Sequence, residues 1–317
     1  MTLALLFSPQ GSQIVGMGRD LADASPAARA TFAEADATLG WAVSATSWGG
    51  PAERLNDTRQ TQPCLLTTSV AAFRALGERV ELEPRMVAGH SVGEYAALVA
   101  ADVLEFPAAL RLVARRAALM ADVDASGGMA AVLGLDRASI ERVVSSLGRP
   151  TELVIANDNA PGQVIVSGLF DALAALEEPL RAVGAKRIVR LPVSGAFHSP
   201  LMVDVAEQLA TAFEAETWHD ARVPVVSNVT AEPLTDASRI RALLTEQVRS
   251  AVEWVRCVER MVVDGIDTFI ECGPGSALTG MVKRIAPEVR TANAGAAAAL
   301  EAAVTLLRSR AREEASV

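Results

Sequence analysis

The sequence is poor in cysteine and histidine and carries no excess of positive charge. Its three cysteines, Cys64, Cys257 and Cys272, are widely spaced. They form neither a disulfide framework nor a pattern of metal ligands, so buried thiols in a reducing cytoplasm are expected. Its three histidines, His90, His198 and His219, are too few and too scattered to suggest a metal centre built on imidazole. The same scarcity narrows the search for an imidazole base to three candidates. With 29 Lys and Arg against 38 Asp and Glu, the formal charge is −9, and no net field gathers phosphates. That argues against a general nucleic-acid binder and leaves room for a local basic patch facing one acidic partner. Half the residues are hydrophobic, yet no run approaches the roughly 18 apolar residues of a membrane helix. The opening MTLALLFSPQ has no basic lead-in and too short an apolar part for a secretory signal; it reads as a first buried strand. A chain of 317 residues can bury an ample core, as one large domain or two modest ones.

Along the chain, LALLF (3–7) reads as a strand, LLTTSVAAFRALGERV (65–80) as a helix and RMVAGH (85–90) as a short buried strand. Helices follow over 92–101 and 106–123, with Pro107 suited to a first turn. Strands alternating with helices predict an α/β fold with a parallel sheet covered on both faces. The middle differs: a strand (129–135), a helix (136–148), a hairpin (152–160 and 162–168) turned at Pro161-Gly162, a helix (170–185) kinked by Pro179, and a strand (186–193). That β-α-β-β-α-β order is the split βαβ pattern of a ferredoxin-like unit. It predicts a small subdomain over 128–195, inserted between two parts of a large one, 1–127 and 196–317. The second part is expected to hold helices at 200–214 and 236–249, strands at 223–229 and 268–272, a Gly-Pro-Gly turn into a helix, and an Ala-rich closing helix over 295–311.

The stretch VAGHSVGEYAALVAA (87–101) carries the sharpest chemical signal. Ser91 fits G-x-S-x-G as Gly89-His90-Ser91-Val92-Gly93, between an expected strand and an expected helix. The glycines permit a sharp turn that lifts Ser91 Oγ clear of the sheet, and the Val92 amide at the helix start is placed for an oxyanion. A turn that merely lets a strand become a helix would use the same glycines, so the pentapeptide leaves both readings open. A serine nucleophile needs a base. His90 is adjacent, but successive side chains at such a turn diverge, and His219 in TWHDARV reads as solvated. His198, in LPVSGAFHSPLM just past a strand end, is the best of the three, because strand ends are where α/β sheets carry their sites. Arg116 is a separate clue. At ~100° per residue, Leu112, Val113, Ala117 and Met120 share one helix face with Arg116 in its middle, while Arg111 and Arg115 fall outside. A guanidinium there needs an anion. An internal Asp or Glu is one, and favoured by the pattern alone; a substrate carboxylate held by the planar fork is the other. Gln10 (in SPQGSQ) could lend a backbone N–H to an oxyanion and Gln62 (in RQTQP) could line the same mouth, although surface turns account for both.

Taken together, Gln10-Gly11-Ser12-Gln13, Thr61-Gln62-Pro63, Gly89 to Glu94, Arg116, Ala196-Phe197-His198 and Gly273-Pro274-Gly275 resemble, in order and over nearly the whole chain, the malonyl-CoA:acyl carrier protein transacylase family. The resemblance implies an α/β-hydrolase-like core with a ferredoxin-like insert. It implies Ser91 as the acylated nucleophile, His198 as base, the Gln10 and Val92 amides as oxyanion hole, Arg116 as partner of the malonyl carboxylate, and Gln62 as a site-shaping residue. Phe197 and Val92 fit malonyl rather than methylmalonyl. Malonyl-CoA and a phosphopantetheinylated acyl carrier protein would be the substrates, with no metal or redox cofactor, no nucleic acid or membrane partner, and a monomeric state. Lys186-Arg187 or Lys283-Arg284 would supply a patch for the acidic carrier protein. Two positions depart from the pattern: Ser8-Pro9 stands where Pro-Gly is usual, and Ser250 stands where an Asn offers its carbonyl to the histidine. A serine hydrolase or thioesterase remains an alternative, with Asp158 or Asp171 as the acid behind the histidine. So does an acyl-loading subunit of a polyketide synthase or malonate decarboxylase.

Overall fold

Leu3–Phe7 (β1) is apolar at every position, without the alternation of a half-exposed strand, and all five residues are buried. In the computed structural model, which describes residues 2–123 and 126–314, β1 accordingly lies inside a parallel sheet. Four short helices follow: Arg19–Ala24 (α1), Pro26–Leu39 (α2), Val43–Gly49 (α3) and Ala52–Leu55 (α4). The next helix, Thr58–Gly77 (α5), begins well before the expected residue 65. Asp57 caps it, accepting from Arg59 N–H at 2.9 Å, and Pro63 falls within its first two turns, where its missing N–H forfeits a single ladder bond. Gln62 is therefore a buried helical residue rather than part of a surface turn. Met86–Gly89 (β2), Gly93–Ala100 (α6) and Phe106–Ala121 (α7) then follow, close to their expected bounds.

The middle of the chain forms its own sheet. Gly127–Leu133 (β3), Arg137–Ser146 (α8), Leu153–Ala160 (β4), Gln163–Leu169 (β5), Phe170–Ala182 (α9) and Arg187–Arg190 (β6) occur in the expected order. The four strands line up as β4-β5-β3-β6, every neighbour antiparallel. Pro179 is carried inside α9. β6 is shorter than expected because Pro192 has no N–H to continue the ladder.

After a 3₁₀ turn at Pro200–Met202, the chain forms Val203–Phe213 (α10), Val225–Val226 (β7), Pro233–Leu234 (β8) and Ala237–Gln247 (α11). Trp254–Val263 (α12), Thr268–Cys272 (β9), Ala277–Ile285 (α13), Arg290–Asn293 (β10) and Ala297–Glu314 (α14) complete it. The larger sheet runs β10-β9-β1-β2-β7-β8, parallel except at the β7–β8 edge. The fold is α/β. The strand expected over 223–229 shrinks to two residues. Beyond it, Ser227 N–H turns to Glu232 O and Asn228 N–H to the Glu94 carboxylate. The smaller sheet is stitched to the segment before α12 at Val252, whose N–H donates to Ala156 O (2.8 Å) and whose carbonyl accepts from Asp158 N–H (3.0 Å). Beside this seam Arg137 pairs with Glu253 (2.5 Å) and, more loosely, with Asp158 (3.6 Å).

Candidate active site

β1 and β2 end side by side, with Phe7 opposite Gly89, and the turn into α6 rests on that edge. His90 N–H donates to Phe7 O (3.2 Å). A Cβ on Gly93 would lie 2.2 Å from Phe7 O, and one on Gly89 would lie 2.0 Å from Gly93 O; both positions are glycine because backbone meets backbone there. Ser91 takes φ 54°, a left-handed conformation that costs a residue with a side chain ~1–3 kcal/mol unless its surroundings hold it. Asn228, just past β7, does so with one side chain. Its Oδ1 accepts Ser91 N–H (2.7 Å) and its Nδ2 donates to Gly89 O (2.7 Å).

Ser91 Oγ lies 2.8 Å from His198 Nε2, and His198 Nδ1 lies 2.8 Å from Gln247 O. A carbonyl can only accept, so Nδ1 carries the proton and Nε2 presents its lone pair to the serine hydroxyl. Burial, and then the charge of Arg116, lower the imidazole pKa to about 3, which keeps the ring neutral at ordinary pH. The carbonyl that orients His198 is thus that of Gln247, not Ser250. α11 ends at Gln247, where helix carbonyls lack intrahelical partners. Ser250 N–H folds back toward the same oxygen (3.4 Å), and its own carbonyl contributes to the ring only secondarily.

Arg116 lies on the buried face of α7, 1 % exposed, and no Asp or Glu pairs with it among the described residues. Its NH1 donates to Gln62 Oε1 (2.6 Å), and its NH2 to Ser91 Oγ (3.0 Å) and Gln247 Oε1 (3.2 Å). The directly paired internal acid that the sequence favoured is not found among the described residues; Glu94 acts on Arg116 only at a distance, with Gln247 bonded to both. Three of five guanidinium N–H groups meet neutral oxygens, and Nε is buried without a partner. Burial lowers the Arg116 pKa, against the pull of Tyr95 and Glu94. A buried cation with donors to spare beside a serine–imidazole pair is built to receive a carboxylate.

The remaining expected residues fall around this cluster. Gln10 follows β1 by three residues, and its side chain donates to Thr58 Oγ1 (3.3 Å). Neither its N–H nor that of Val92 donates to a protein acceptor among the described residues, so both remain available. Ser8 Oγ donates to Glu271 (3.2 Å), which fixes the turn despite its departure from the family pattern. Phe197 is buried next to His198. His90 points away, to Asn159 Oδ1 (2.8 Å) and Trp254, and His219 is exposed. Asp158 faces Arg137, and Asp171 pairs with Arg149. Neither stands behind His198. No group of three or more metal-ligating side chains occurs among the described residues. The sequence reading missed Gln247, Asn228 and the inward turn of Glu94. Gln247 was findable by the test that found Arg116: with Ile240 and Leu244 it lies on the buried face of α11.

A profile of the family described as "Acyl transferase domain" matches residues 4–308. The malonyl CoA-acyl carrier protein transacylase of Escherichia coli K12 is 41% identical over 305 residues, covering 96% of this chain and 99% of that protein. The Bacillus subtilis protein of the same name is 40% identical over 309 residues, covering 96% of this chain and 97% of its own. A malonyl-transacylase solved in complex with its type II polyketide synthase acyl-carrier protein superposes with a TM-score of 0.92. It shares 39% identity and covers 96% of this chain and 99% of its own.

Proposed function

The chain belongs to the acyl transferase domain family, and from that membership we propose that it carries a malonyl group from malonyl-CoA to the phosphopantetheine thiol of an acyl carrier protein. The observation that carries the reading is Arg116, an unpaired buried guanidinium within hydrogen-bonding distance of Ser91 Oγ. In the first half-reaction the malonyl carboxylate takes the spare donors of Arg116, which sets the thioester carbonyl against Ser91. His198 Nε2 accepts the hydroxyl proton as Oγ attacks. The Gln10 and Val92 amides receive the oxyanion; one such donor is worth about 3 kcal/mol elsewhere. The tetrahedral intermediate collapses, the thiolate of CoA takes the proton from His198, and malonyl-Ser91 remains. In the second half-reaction the carrier-protein thiol gives its proton to His198 and attacks the ester, and Ser91 recovers its hydrogen. Gln62 braces Arg116, and Phe197 and Val92 narrow the acyl pocket. These steps need no metal or redox group.

We read residues 128–195 as a ferredoxin-like insert, supported by the β4-β5-β3-β6 order, in an α/β-hydrolase-like core. For the acidic carrier protein, the exposed Lys186-Arg187 edge of β6 is favoured over Arg284, which already donates to Pro161 O and Gln163 (2.7 Å). The deciding experiment is intact-protein mass after brief exposure to malonyl-CoA. A malonyl adduct should form, persist in water, discharge onto holo carrier protein, and be absent in Ser91→Ala. An adduct that water removes as fast as it forms would make the protein a hydrolase instead.

A further inference from the structure

Glu94 is a carboxylate 3 % exposed at the start of α6, and the acyl-transfer steps above do not use it. Its Oε2 accepts two hydrogen bonds, from Asn228 N–H (3.2 Å) and from Gln247 Nε2 (2.8 Å). Each donor is itself a hub of the site. Asn228 clamps the Ser91 turn through Ser91 N–H and Gly89 O. Gln247 accepts from His198 Nδ1 with its carbonyl and from Arg116 with its Oε1, and donates to Ser91 O at 3.0 Å. We infer that Glu94 is the positioning residue of this reaction, fixing nucleophile, base and carboxylate-binding arginine relative to one another through one oxygen and offsetting the Arg116 charge until an acyl carboxylate arrives. The inference rests on the transacylase reading above.

Two consequences separate this role from simple core packing. First, a side-chain amide can present either end, and the Glu94 acceptor decides which end Gln247 presents. With Nε2 held on Glu94 and Ser91 O, Oε1 must face Arg116. Without that acceptor the amide can turn and set a donor against the guanidinium. Second, the Arg116 charge lowers the basicity of His198, and Glu94 is the anion that acts on Arg116 from within the chain. A malonyl donor brings its own carboxylate to do this, whereas an acetyl donor does not. Loss of the Glu94 charge with its shape retained therefore harms acetyl transfer more than malonyl transfer.

The test compares wild type, Glu94→Gln and Glu94→Leu for transfer from malonyl-CoA and acetyl-CoA to holo carrier protein at pH 8, with thermal melting alongside. In Glu94→Gln the amide oxygen still accepts both bonds, and the malonyl-to-acetyl ratio of kcat/KM should rise on the order of three- to tenfold at a nearly unchanged Tm. In Glu94→Leu both rates should fall, malonyl the more, so that the ratio drops below wild type. Equal losses for both donors in Glu94→Gln, or no change in either, would overturn the role, and this variant decides alone if Glu94→Leu does not fold. The wild-type protein tests the parent reading separately. No malonyl-Ser91 adduct there would overturn the transacylase, whereas normal wild-type transfer with an unmoved Glu94→Gln ratio would overturn only the part given to Glu94.

Discussion

Arg116 and His198 share one electrostatic problem. In the proposed mechanism the guanidinium must stay charged to hold a carboxylate, yet its charge depresses the imidazole that is to accept a proton. Burial is the larger cause of the low His198 pKa, and Arg116 is the second. Replacing Arg116 by Gln removes the second cause only. The acid limb of acetyl transfer, which in the free enzyme follows the neutral fraction of His198, should lie well below pH 6.5 in wild type. It should move up in Arg116→Gln without reaching 6.5. A limb that moves down, or stays, would contradict the assignment. Glu94, whose carboxyl burial pushes up to about 7, adds a separate, higher inflection in both proteins. With malonyl-CoA the same variant should lose about 3 kcal/mol of transition-state stabilisation, in line with a buried charge pair that loses one partner. Acetyl transfer should lose far less, and kcat/KM for the two donors checks the split. Ser91, His198 and Arg116 stood out in the sequence because each is an unusual residue in its local pattern. Gln247 was legible only through the helix-face test, and Asn228 was not, because an amide after a short apolar run looks like an ordinary turn until the long-range contacts that bury it are known.

At the scale of elements, the turn between β2 and α6 decides whether the serine is presented at all. Gly93→Ala would drive a methyl into Phe7 O, and backbone on both sides leaves little room to yield. A loss of ~1–3 kcal/mol and of Ser91 labelling is expected, the first read by urea denaturation and the second by intact mass. Gly280, within α13, has nothing within 4 Å of its would-be Cβ. Gly280→Ala should instead stabilise by ~0.5–1 kcal/mol and leave labelling alone. The bounds of elements were legible where local chemistry fixed them. Thr268–Cys272 and the Pro161-Gly162 hairpin follow from apolar runs and turn residues. α5 starts earlier than expected because RQTQP read as a surface turn, although the Asp57 cap lies just ahead of it. β7 was overextended because nothing local announces that Glu94, far away in the chain, captures Asn228 N–H.

Across the whole molecule, the smaller sheet and its helix α8 are joined to the segment before α12 along the Val252 seam and the Arg137–Glu253 pair. Arg137 and Glu253 are partly buried there, so Arg137→Ala leaves Glu253 and Asp158 facing each other without a cation. The cost should lie between the ~0.5 kcal/mol of a surface pair and the ~3 kcal/mol of a buried one. Denaturant midpoints of Arg137→Ala and Glu253→Gln would check it, with the Arg137 variant the less stable. The alternation of strands and helices made the α/β fold and the change of pattern in the middle of the chain readable. The seam was not, because it is built from backbone groups of residues nearly a hundred positions apart.

The clustering of Gln62, Ser91, Arg116, His198 and Gln247 has a consequence in time as well as in space. These residues come from five separate segments spread over most of the chain, and every bond that aligns them crosses long stretches of sequence. A growing or refolding chain can complete β1, α5 and β2 early, yet Ser91 Oγ has no imidazole beside it until residue 198 arrives, and Arg116 lacks its Gln247 contact until residue 247 docks. On the proposed mechanism the hydroxyl therefore stays silent until Gln247 is in place, and acyl-CoA meets an active serine only after most of the chain has folded around it.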